Sequence, residues 1–153
     1  MKITDILEPE GVIPDLKGPN KAAVLRELAA HLAASHPRVK VEDLIAVLAE
    51  RERLGSTAIG DGIAIPHGKL KGPDNIIGLF ARHINGVDFD SLDGKPTFLF
   101  FLLVAPEDST SLHLKALARV SRLLKDGAFR DRLIAANDAA ELDQLIKEED
   151  SRY

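Results

Sequence analysis

The chain has 153 residues, a formal net charge of −4, no cysteine and no tryptophan. This length predicts a single domain over residues 1–153, and the missing cysteine excludes disulfides and thiolate-bound metals. The mixed, mildly acidic charge disfavours nucleic-acid binding, and the longest apolar run, Phe98 to Ala105, is far shorter than the ~20 residues of a membrane helix. Because the start lacks the apolar region of a signal peptide, we expect a cytoplasmic protein that contacts no membrane.

The first part of the chain predicts two helices after an irregular start. Glycines and prolines interrupt the opening segment and leave room for only a short strand at Val12-Ile13. Asn20 is the predicted N-cap of a helix that runs to about Ser35. A second helix is predicted from Val41 to Arg53, and Gly55 is placed to end it.

Strands are predicted in the middle of the chain. A glycine-rich loop over residues 55–62 leads to a short strand at Ile63-Ala64-Ile65. The segment from Ile76 to Ile84 reads as a strand closed by the turn pair Asn85-Gly86. The almost wholly apolar run from Thr97 to Ala105 is typical of a central strand that is buried on both faces.

Three further helices are predicted after the strands. They cover about Leu112 to Lys125, Phe129 to Ala136, and a last segment opened by the N-cap Asp138. The apolar face of the first of these is predicted to comprise Leu114, Leu117, Ala118, Ser121 and Leu124. The order of helices, strands and helices predicts an α/β fold, with a mixed sheet flanked by helices on both faces.

His67 has the most suggestive context among the five histidines. It follows a strand, a glycine-rich loop and Pro66, which stiffens the approach, and Gly68 permits a sharp turn after it. Imidazole has an ordinary pKa of about 6.5, so it offers an unprotonated nucleophilic nitrogen at neutral pH. A single histidine after a strand is equally compatible with a structural role. For His31, His36 and His83 a structural role is the prediction.

Donors for an incoming phosphoryl group are present in the surrounding sequence. Such a group carries nearly two negative charges and needs hydrogen-bond donors around its oxygens. Ser56, Thr57 and the loop's backbone N–H groups would supply them, with charge from Arg51 or Lys69. A second imidazole, that of His113, lies in the first turn of a predicted helix.

Several other kinds of site are disfavoured by the motifs. The glycine spacing fits neither a Walker A loop nor G-x-G-x-x-G, and no G-x-S-x-G elbow occurs. No H-x-x-x-H pair is present to begin a zinc site. We therefore expect neither a metal nor a cofactor.

A resemblance to a known family is carried by the segment Arg51-Glu52-Arg53-Leu54-Gly55-Ser56-Thr57-Ala58-Ile59-Gly60-Asp61-Gly62-Ile63-Ala64-Ile65-Pro66-His67. It closely resembles the signature of the IIA proteins of the mannitol/fructose class of the bacterial phosphotransferase system, most of all their nitrogen-regulatory branch. The resemblance extends to the opening Ile3 to Leu7 and to Leu112 to Ala118, and so covers nearly the whole chain. It implies a mixed, roughly five-stranded sheet with helices on both sides.

The resemblance also implies roles for individual residues. His67 matches the residue that becomes phosphorylated on Nε2, Arg51 an arginine that steadies the phosphoryl group, and His113 a second active-site histidine. Thr57 matches a polar loop position that faces the site. Ala58 stands where many relatives carry glycine, so a positive φ at this position would be strained.

The implied function is that of a phosphotransferase that works as a phosphoryl carrier. It would accept the group from a phospho-HPr-like donor protein and act on regulatory target proteins in nitrogen metabolism. The alternative is a IIA component of fructose- or mannitol-type uptake, which passes the group to a IIB domain. The lack of a fused carrier or membrane domain favours the regulator. A third hypothesis is a pure interaction module in which His67 is structural.

Partner binding predicts an apolar rim around the site. The candidates for this rim are Ala58, Ile59, Ile63 and Leu70, with Lys69 and Arg53 steering the approach of the partner by charge.

Overall fold

A computed structural model of the chain describes residues 1–152, which form one mixed sheet of six strands with five α-helices around it. The strands are β1 (Leu7–Ile13), β2 (Ala58–Gly60), β3 (Ile63–Ala64), β4 (His67–Leu70), β5 (Ile77–Val87) and β6 (Thr97–Pro106). The helices are α1 (Lys21–Ala34), α2 (Val41–Arg53), α3 (Thr110–Leu123), α4 (Gly127–Ala135) and α5 (Ala139–Asp150). The predicted fold class is confirmed.

Strand β6 is the centre of the sheet, as its apolar sequence predicts. The strand order is β1-β5-β6-β3-β2, and β4 also pairs with β6. Strand β5 runs antiparallel to β6, whereas β3 and β4 run parallel to it. Odd-numbered residues from Leu99 to Ala105 pack in a core with α3, α4 and α5, and even-numbered residues from Phe100 to Val104 pack in a second core with α1 and α2. The alternation follows from the two-residue period of a strand.

The predicted helix starts and ends are largely confirmed. The Asn20 side chain accepts a hydrogen bond from the N–H of Ala23 at 2.9 Å and caps α1. Helix α2 has the predicted bounds, and Gly55 follows its C-cap with a φ of 147°. The Asp138 side chain caps α5 by accepting from the N–H of Glu141 at 2.9 Å.

The first strand is longer than predicted. Strand β1 runs from Leu7 to Ile13 and pairs in parallel with β5, although it contains Pro9 and Gly11. It is an edge strand with a register shift between Leu7 and Val12, and proline is tolerated in such a place because it has no ladder partner to lose.

The predicted turn at Asn85-Gly86 is wrong. Both residues lie inside β5, where the register with β6 shifts between Arg82 and Val87. Gly86 has a φ of 77°, and a side chain added there would meet the Phe98 ring at 2.7 Å. Asn85 and Gly86 therefore form a β-bulge, in which Gly86 packs against the Phe98 ring. The chain reverses direction later, over residues 88–96.

The predicted glycine-rich loop contains a small hairpin. Strands β2 and β3 pair antiparallel, with Gly60 opposite Ile63. The two residues between them, Asp61 and Gly62, have φ values of 57° and 76°. A two-residue turn with positive φ at both positions is the common hairpin turn, and Asp-Gly is one of its preferred sequences.

The buried face of α3 also differs from the prediction. Its buried residues are His113, Ala116, Val120 and Leu123. Of the predicted face, Leu117 and Leu124 pack on the core, whereas Leu114, Ala118 and Ser121 are exposed. The helix is thus rotated so that His113 points inward and Leu114 faces out. Within residues 1–152, no helix is long and apolar enough to cross a membrane.

Candidate active site

His67 is the first residue of β4 and lies opposite Leu103 of the central strand. The preceding carbonyl, that of Pro66, accepts a hydrogen bond from the Leu103 N–H at 3.0 Å, which fixes the entry to β4. The His67 ring is then held by a 2.8 Å hydrogen bond from Nδ1 to the carbonyl of Ile65. A carbonyl can only accept, so Nδ1 carries the proton and Nε2 keeps a free lone pair.

Arg51 approaches the free nitrogen of His67 from the last turn of α2. Its Nε–H donates to His67 Nε2 at 3.3 Å, and its Nη1 donates to the Gly55 carbonyl at 2.8 Å. Because a guanidinium has donors and no acceptor, this contact also requires an unprotonated Nε2. Two independent contacts therefore select the same tautomer.

His113 completes the group from the first turn of α3. The centres of the His67 and His113 rings are 5.3 Å apart, and the ring planes cross at 72°. The side chain is buried, and its Nδ1 has no hydrogen-bond partner in the described part of the chain. A buried polar atom without a partner is costly, and here it lies beside the nucleophilic candidate.

Both imidazoles have depressed pKa values. Burial lowers the pKa of His67, and the charge of Arg51 adds to this, while the Ile65 carbonyl and Glu52 act in the opposite direction. Burial also lowers the pKa of His113, helped by the proximity of His67 and Lys69. In both rings these surroundings favour the neutral form over the charged one.

The three side chains open onto a cavity of about 450 Å³. Its walls include the apolar residues Val47, Leu54, Leu114 and Leu117. Leu54 and Leu114 are 79% and 60% exposed, so the cavity presents apolar surface beside the polar side chains. Lys69 lies at the edge and donates from Nζ to the Thr110 hydroxyl at 2.7 Å.

The rim predicted from the sequence is mostly wrong. Ala58, Ile63 and Leu70 are buried in the two cores, and Ile59 is exposed but does not line this cavity. The rim residues come instead from α2 and α3. Sequence analysis missed this rim because it assigned Leu114 to the buried face of α3. An apolar residue of that helix that does not pack in the core is available for the surface around the site.

The hydroxyls of Ser56 and Thr57, the predicted phosphoryl donors, both have partners within the protein. The Ser56 hydroxyl donates its only hydrogen to the Phe89 carbonyl at 2.7 Å, and the Thr57 hydroxyl donates to Glu52 Oε2. Thr57 is buried, so neither hydroxyl is a free donor for a phosphoryl group. Both stabilise the loop that follows α2. Among the described non-glycine residues, those with a positive φ are Asp61 and Asp90. The φ of Ala58 is therefore not positive, and its backbone conformation does not require a glycine at this position.

The other histidines are engaged elsewhere by backbone carbonyls. His31 contacts the Glu10 carbonyl at 2.8 Å, His36 that of Leu32 at 2.9 Å, and His83 that of Gly18 at 2.9 Å. In residues 1–152, no group of three histidine or acidic side chains is arranged to hold a metal ion. The described chain thus gathers His67, His113 and Arg51 in one place, with the cavity beside them.

Comparisons with known proteins place these residues in a wider context. A family model described as "Phosphoenolpyruvate-dependent sugar phosphotransferase system, EIIA 2" matches residues 5–149. A nitrogen regulatory protein of Bradyrhizobium diazoefficiens is 49% identical over 142 residues, which cover 91% of this chain and 90% of that one. The fructose-specific EIIABC component of Bacillus subtilis is 33% identical over 150 residues, which cover 98% of this chain and 24% of that protein. The crystal structure of nitrogen regulatory protein IIA-Ntr from Neisseria meningitidis superimposes with a TM-score of 0.87 at 32% identity, over 94% of this chain and 98% of that one.

Proposed function

This chain belongs to the EIIA 2 family of the phosphoenolpyruvate-dependent sugar phosphotransferase system, and from that premise we propose that it carries a phosphoryl group on Nε2 of His67. The group comes from a phospho-HPr-like donor protein, and the phosphorylated and free forms are distinguished by regulatory target proteins. One observation carries this proposal: Nδ1 is occupied by the Ile65 carbonyl, so the lone pair of Nε2 faces Arg51 and the cavity.

The transfer step needs no proton to leave His67. The lone pair of Nε2 attacks phosphorus, the bond between phosphorus and the donor's histidine nitrogen breaks, and that nitrogen keeps the electron pair. Nδ1 remains protonated on the Ile65 carbonyl throughout. The Arg51 Nε–H, which contacts the lone pair in the free protein, then donates to a phosphoryl oxygen.

His113 supports the same step as a neutral donor beside the acceptor. Its ring lies 5.3 Å from that of His67, so its N–H lies within reach of an oxygen on a phosphoryl group carried between them. A phosphoryl dianion also favours a protonated neighbour, which raises the pKa of His113 once the group has arrived.

The exposed leucines of the cavity rim fit a protein partner. Donor and acceptor histidines must meet in line, so the two proteins need a flat, partly apolar contact around the site. The exposed Leu54 and Leu114, with the half-buried Leu117, supply such a surface, and Lys69 supplies a charge at its edge. Because the group must be passed on, the complex is short-lived, as in other transient signalling contacts.

A regulatory output in nitrogen metabolism is favoured over sugar uptake. The relative at 49% identity is named a nitrogen regulatory protein, and it matches over nearly the whole of both chains. The second candidate is phosphoryl transfer to a IIB domain in sugar uptake, which is supported by the 33% identity with a fructose-specific EIIABC component.

Phosphotransfer from purified donors tests both proposals. The protein is incubated with radiolabelled phosphoenolpyruvate and the donor proteins of either the nitrogen or the sugar branch. We expect labelling of the wild type, fastest with the nitrogen-branch donor, and none of His67→Ala. The matched control His31→Ala should label like the wild type, because His31 contacts the Glu10 carbonyl and does not line the cavity. Faster labelling by the sugar-branch donor would favour the uptake role, and no labelling by either donor would leave a pure interaction module.

A further inference from the structure

We infer that Glu52 is a positioning residue for the His67 imidazole, and that it acts through Thr57 and the main chain of Ile65. The consequence for transfer rate rests on the function proposed above, while the consequence for the ring itself does not. Glu52 lies next to Arg51 on α2, but its side chain points away from the cavity into the protein.

Glu52 is a buried carboxylate with a full set of partners. Its side chain is 6% exposed, Oε1 accepts from the Thr57 N–H at 3.1 Å, and Oε2 accepts from the Thr57 hydroxyl. Lys21 of α1 supplies the opposite charge, with Nζ 2.9 Å from Oε1. A buried carboxylate is retained only when it is paired and hydrogen-bonded, and here all of its contacts tie α1 and α2 to Thr57.

Thr57 passes this restraint on to the active-site ring. Its carbonyl accepts a hydrogen bond from the Ile65 N–H at 3.1 Å, and the Ile65 carbonyl accepts from His67 Nδ1–H at 2.8 Å. Two hydrogen bonds therefore separate the residue held by Glu52 from the imidazole. The Ile65 carbonyl holds the proton on Nδ1, and the Arg51 Nε–H on Nε2 favours the same tautomer. The position of the Ile65 carbonyl therefore contributes directly to which nitrogen is nucleophilic.

Arg51 and Glu52 hold the same loop from two sides. Arg51 donates to the Gly55 carbonyl at 2.8 Å, while Glu52 takes both donors of Thr57. Their charges also oppose each other at His67, where Arg51 lowers the pKa and Glu52 raises it. Glu50, the acidic residue that lines the cavity, pairs with Arg53, so Glu52 is the carboxylate whose charge acts on His67.

Lys21 is itself held in place, which makes the arrangement rigid. Its ammonium lies 4.8 Å from the centre of the Phe89 ring, and the Phe89 carbonyl accepts the Ser56 hydroxyl at 2.7 Å. Phe89 packs edge-to-face on Phe100 of the central strand with ring centres 5.2 Å apart. The loop ahead of the hairpin is therefore anchored to the sheet, and Glu52 is the link between this anchor and His67.

The test is the tautomer of His67 in the unphosphorylated Glu52→Gln protein, measured from its imidazole ¹⁵N shifts by NMR. Glutamine keeps the shape but removes the charge and turns an acceptor into a donor that faces Lys21 or Thr57. We expect the wild type to populate the Nδ1–H form and Glu52→Gln to mix in the Nε2–H form, with a lower His67 pKa. Phosphoryl acceptance should fall by about tenfold, within the range for residues that orient a functional imidazole.

A matched control and a second variant make the result decisive. Glu42→Gln removes the same charge from an exposed position on α2 and should leave the His67 spectrum and transfer rate unchanged. Thr57→Val removes the hydroxyl hydrogen bond to Glu52, so it should shift the tautomer of His67 in the same direction but by a smaller amount. If Glu52→Gln does not fold, Thr57→Val tests the inference in its place. An unchanged tautomer in both variants would overturn the inference even if the wild type is phosphorylated. A shifted tautomer in a protein that takes up no label would leave it standing while the proposed function fails.

Discussion

The pKa values of His67 and His113 both lie below the ordinary value of an imidazole. Burial is the first cause for both rings, and the cationic neighbours Arg51 and Lys69 act in the same direction. A depressed pKa keeps the neutral form present to lower pH, because the charged form is the one that burial disfavours. The nucleophilic form of His67 is therefore available throughout the neutral range.

Titration by NMR checks this directly. We predict that the protonation midpoints of His67 and His113 lie below that of a peptide spanning residues 63–69, whose histidine titrates near the ordinary pKa of about 6.5. Phosphoryl acceptance should accordingly fall only when the pH drops below the peptide's midpoint. A His67 midpoint above that of the peptide would mean that burial and Arg51 do not control the ring.

Removing either supporting side chain should slow transfer without unfolding the protein. Arg51→Ala loses the donor 3.3 Å from Nε2, and His113→Ala loses the neighbouring imidazole. Each should reduce the rate by on the order of 10²-fold, the loss for one well-placed donor in a transition state. Arg38→Ala, which removes an exposed arginine paired with Asp74, serves as the control and should transfer normally. Normal rates in both site variants would place the chemistry elsewhere.

Sequence reasoning grouped three side chains that the structure brings together, but it did not predict the hydrogen-bond partners of the loop hydroxyls. His67, His113 and Arg51 lie together as the resemblance implied. Ser56 and Thr57 have the right chemistry for phosphoryl donors, yet a side chain that donates one hydrogen can serve only one acceptor. Which acceptor it meets depends on Glu52 and Phe89, whose approach is a matter of tertiary packing.

At the scale of elements, the site depends on close packing between α2 and β4. A Cβ added to Gly68 would lie 2.4 Å from Cγ1 of Val47, so the absence of a side chain allows the helix that bears Arg51 to approach the strand that bears His67. Valine is stiff at χ1 and cannot swing aside cheaply.

Gly68→Ala should therefore destabilise the protein by about 1–3 kcal/mol, the range for overpacking. The loss is measured by urea unfolding. In the double variant Gly68→Ala/Val47→Ala the clashing methyl is gone, so part of the loss should be recovered as a non-additive coupling. A double variant that is less stable than the sum of the two single changes would contradict this packing.

Local sequence patterns predicted helices better than strands. Helix α2 has its predicted bounds because its helical period and the glycine that follows it are local features of the sequence. Strand β1 and the bulge at Gly86 depend instead on which strand lies alongside, and no local pattern contains that information. The buried face of α3 was misassigned because Leu114 was taken for a core residue, whereas it is 60% exposed and forms part of an apolar surface.

On the scale of the whole molecule, Arg82 connects the sheet to the C-terminal helices. It lies buried on β5 and donates to the carbonyls of Leu133, Ile134 and Ala136 at the end of α4, and to that of Pro14. The Leu133 carbonyl also accepts from the Ala136 N–H at 3.3 Å, whereas carbonyls at the end of a helix generally lack intrahelical donors. One guanidinium thus satisfies carbonyls from two distant parts of the chain.

Arg82→Met should lower the free energy of unfolding by at least about 3 kcal/mol, because the carbonyls of Pro14, Ile134 and Ala136 lose this donor at about 1–3 kcal/mol each. Chemical denaturation measures the change. Arg53→Met provides the comparison, since Arg53 is exposed and pairs with an exposed Glu50, and it should change stability by less than about 1 kcal/mol. Equal effects of the two substitutions would show that Arg82 does not hold α4.

The central claim is that Nε2 of His67 carries the phosphoryl group, and the position of the phosphorus on the protein tests it most directly. The wild type is phosphorylated from phosphoenolpyruvate through the donor proteins, and the phosphohistidine is assigned by ³¹P and ¹⁵N NMR. We predict one phosphorylated histidine, His67, modified at Nε2 while Nδ1 stays protonated, and no phosphohistidine signal in His67→Ala. A signal on His113, on Nδ1 of His67, or of equal strength in wild type and His67→Ala would contradict the account.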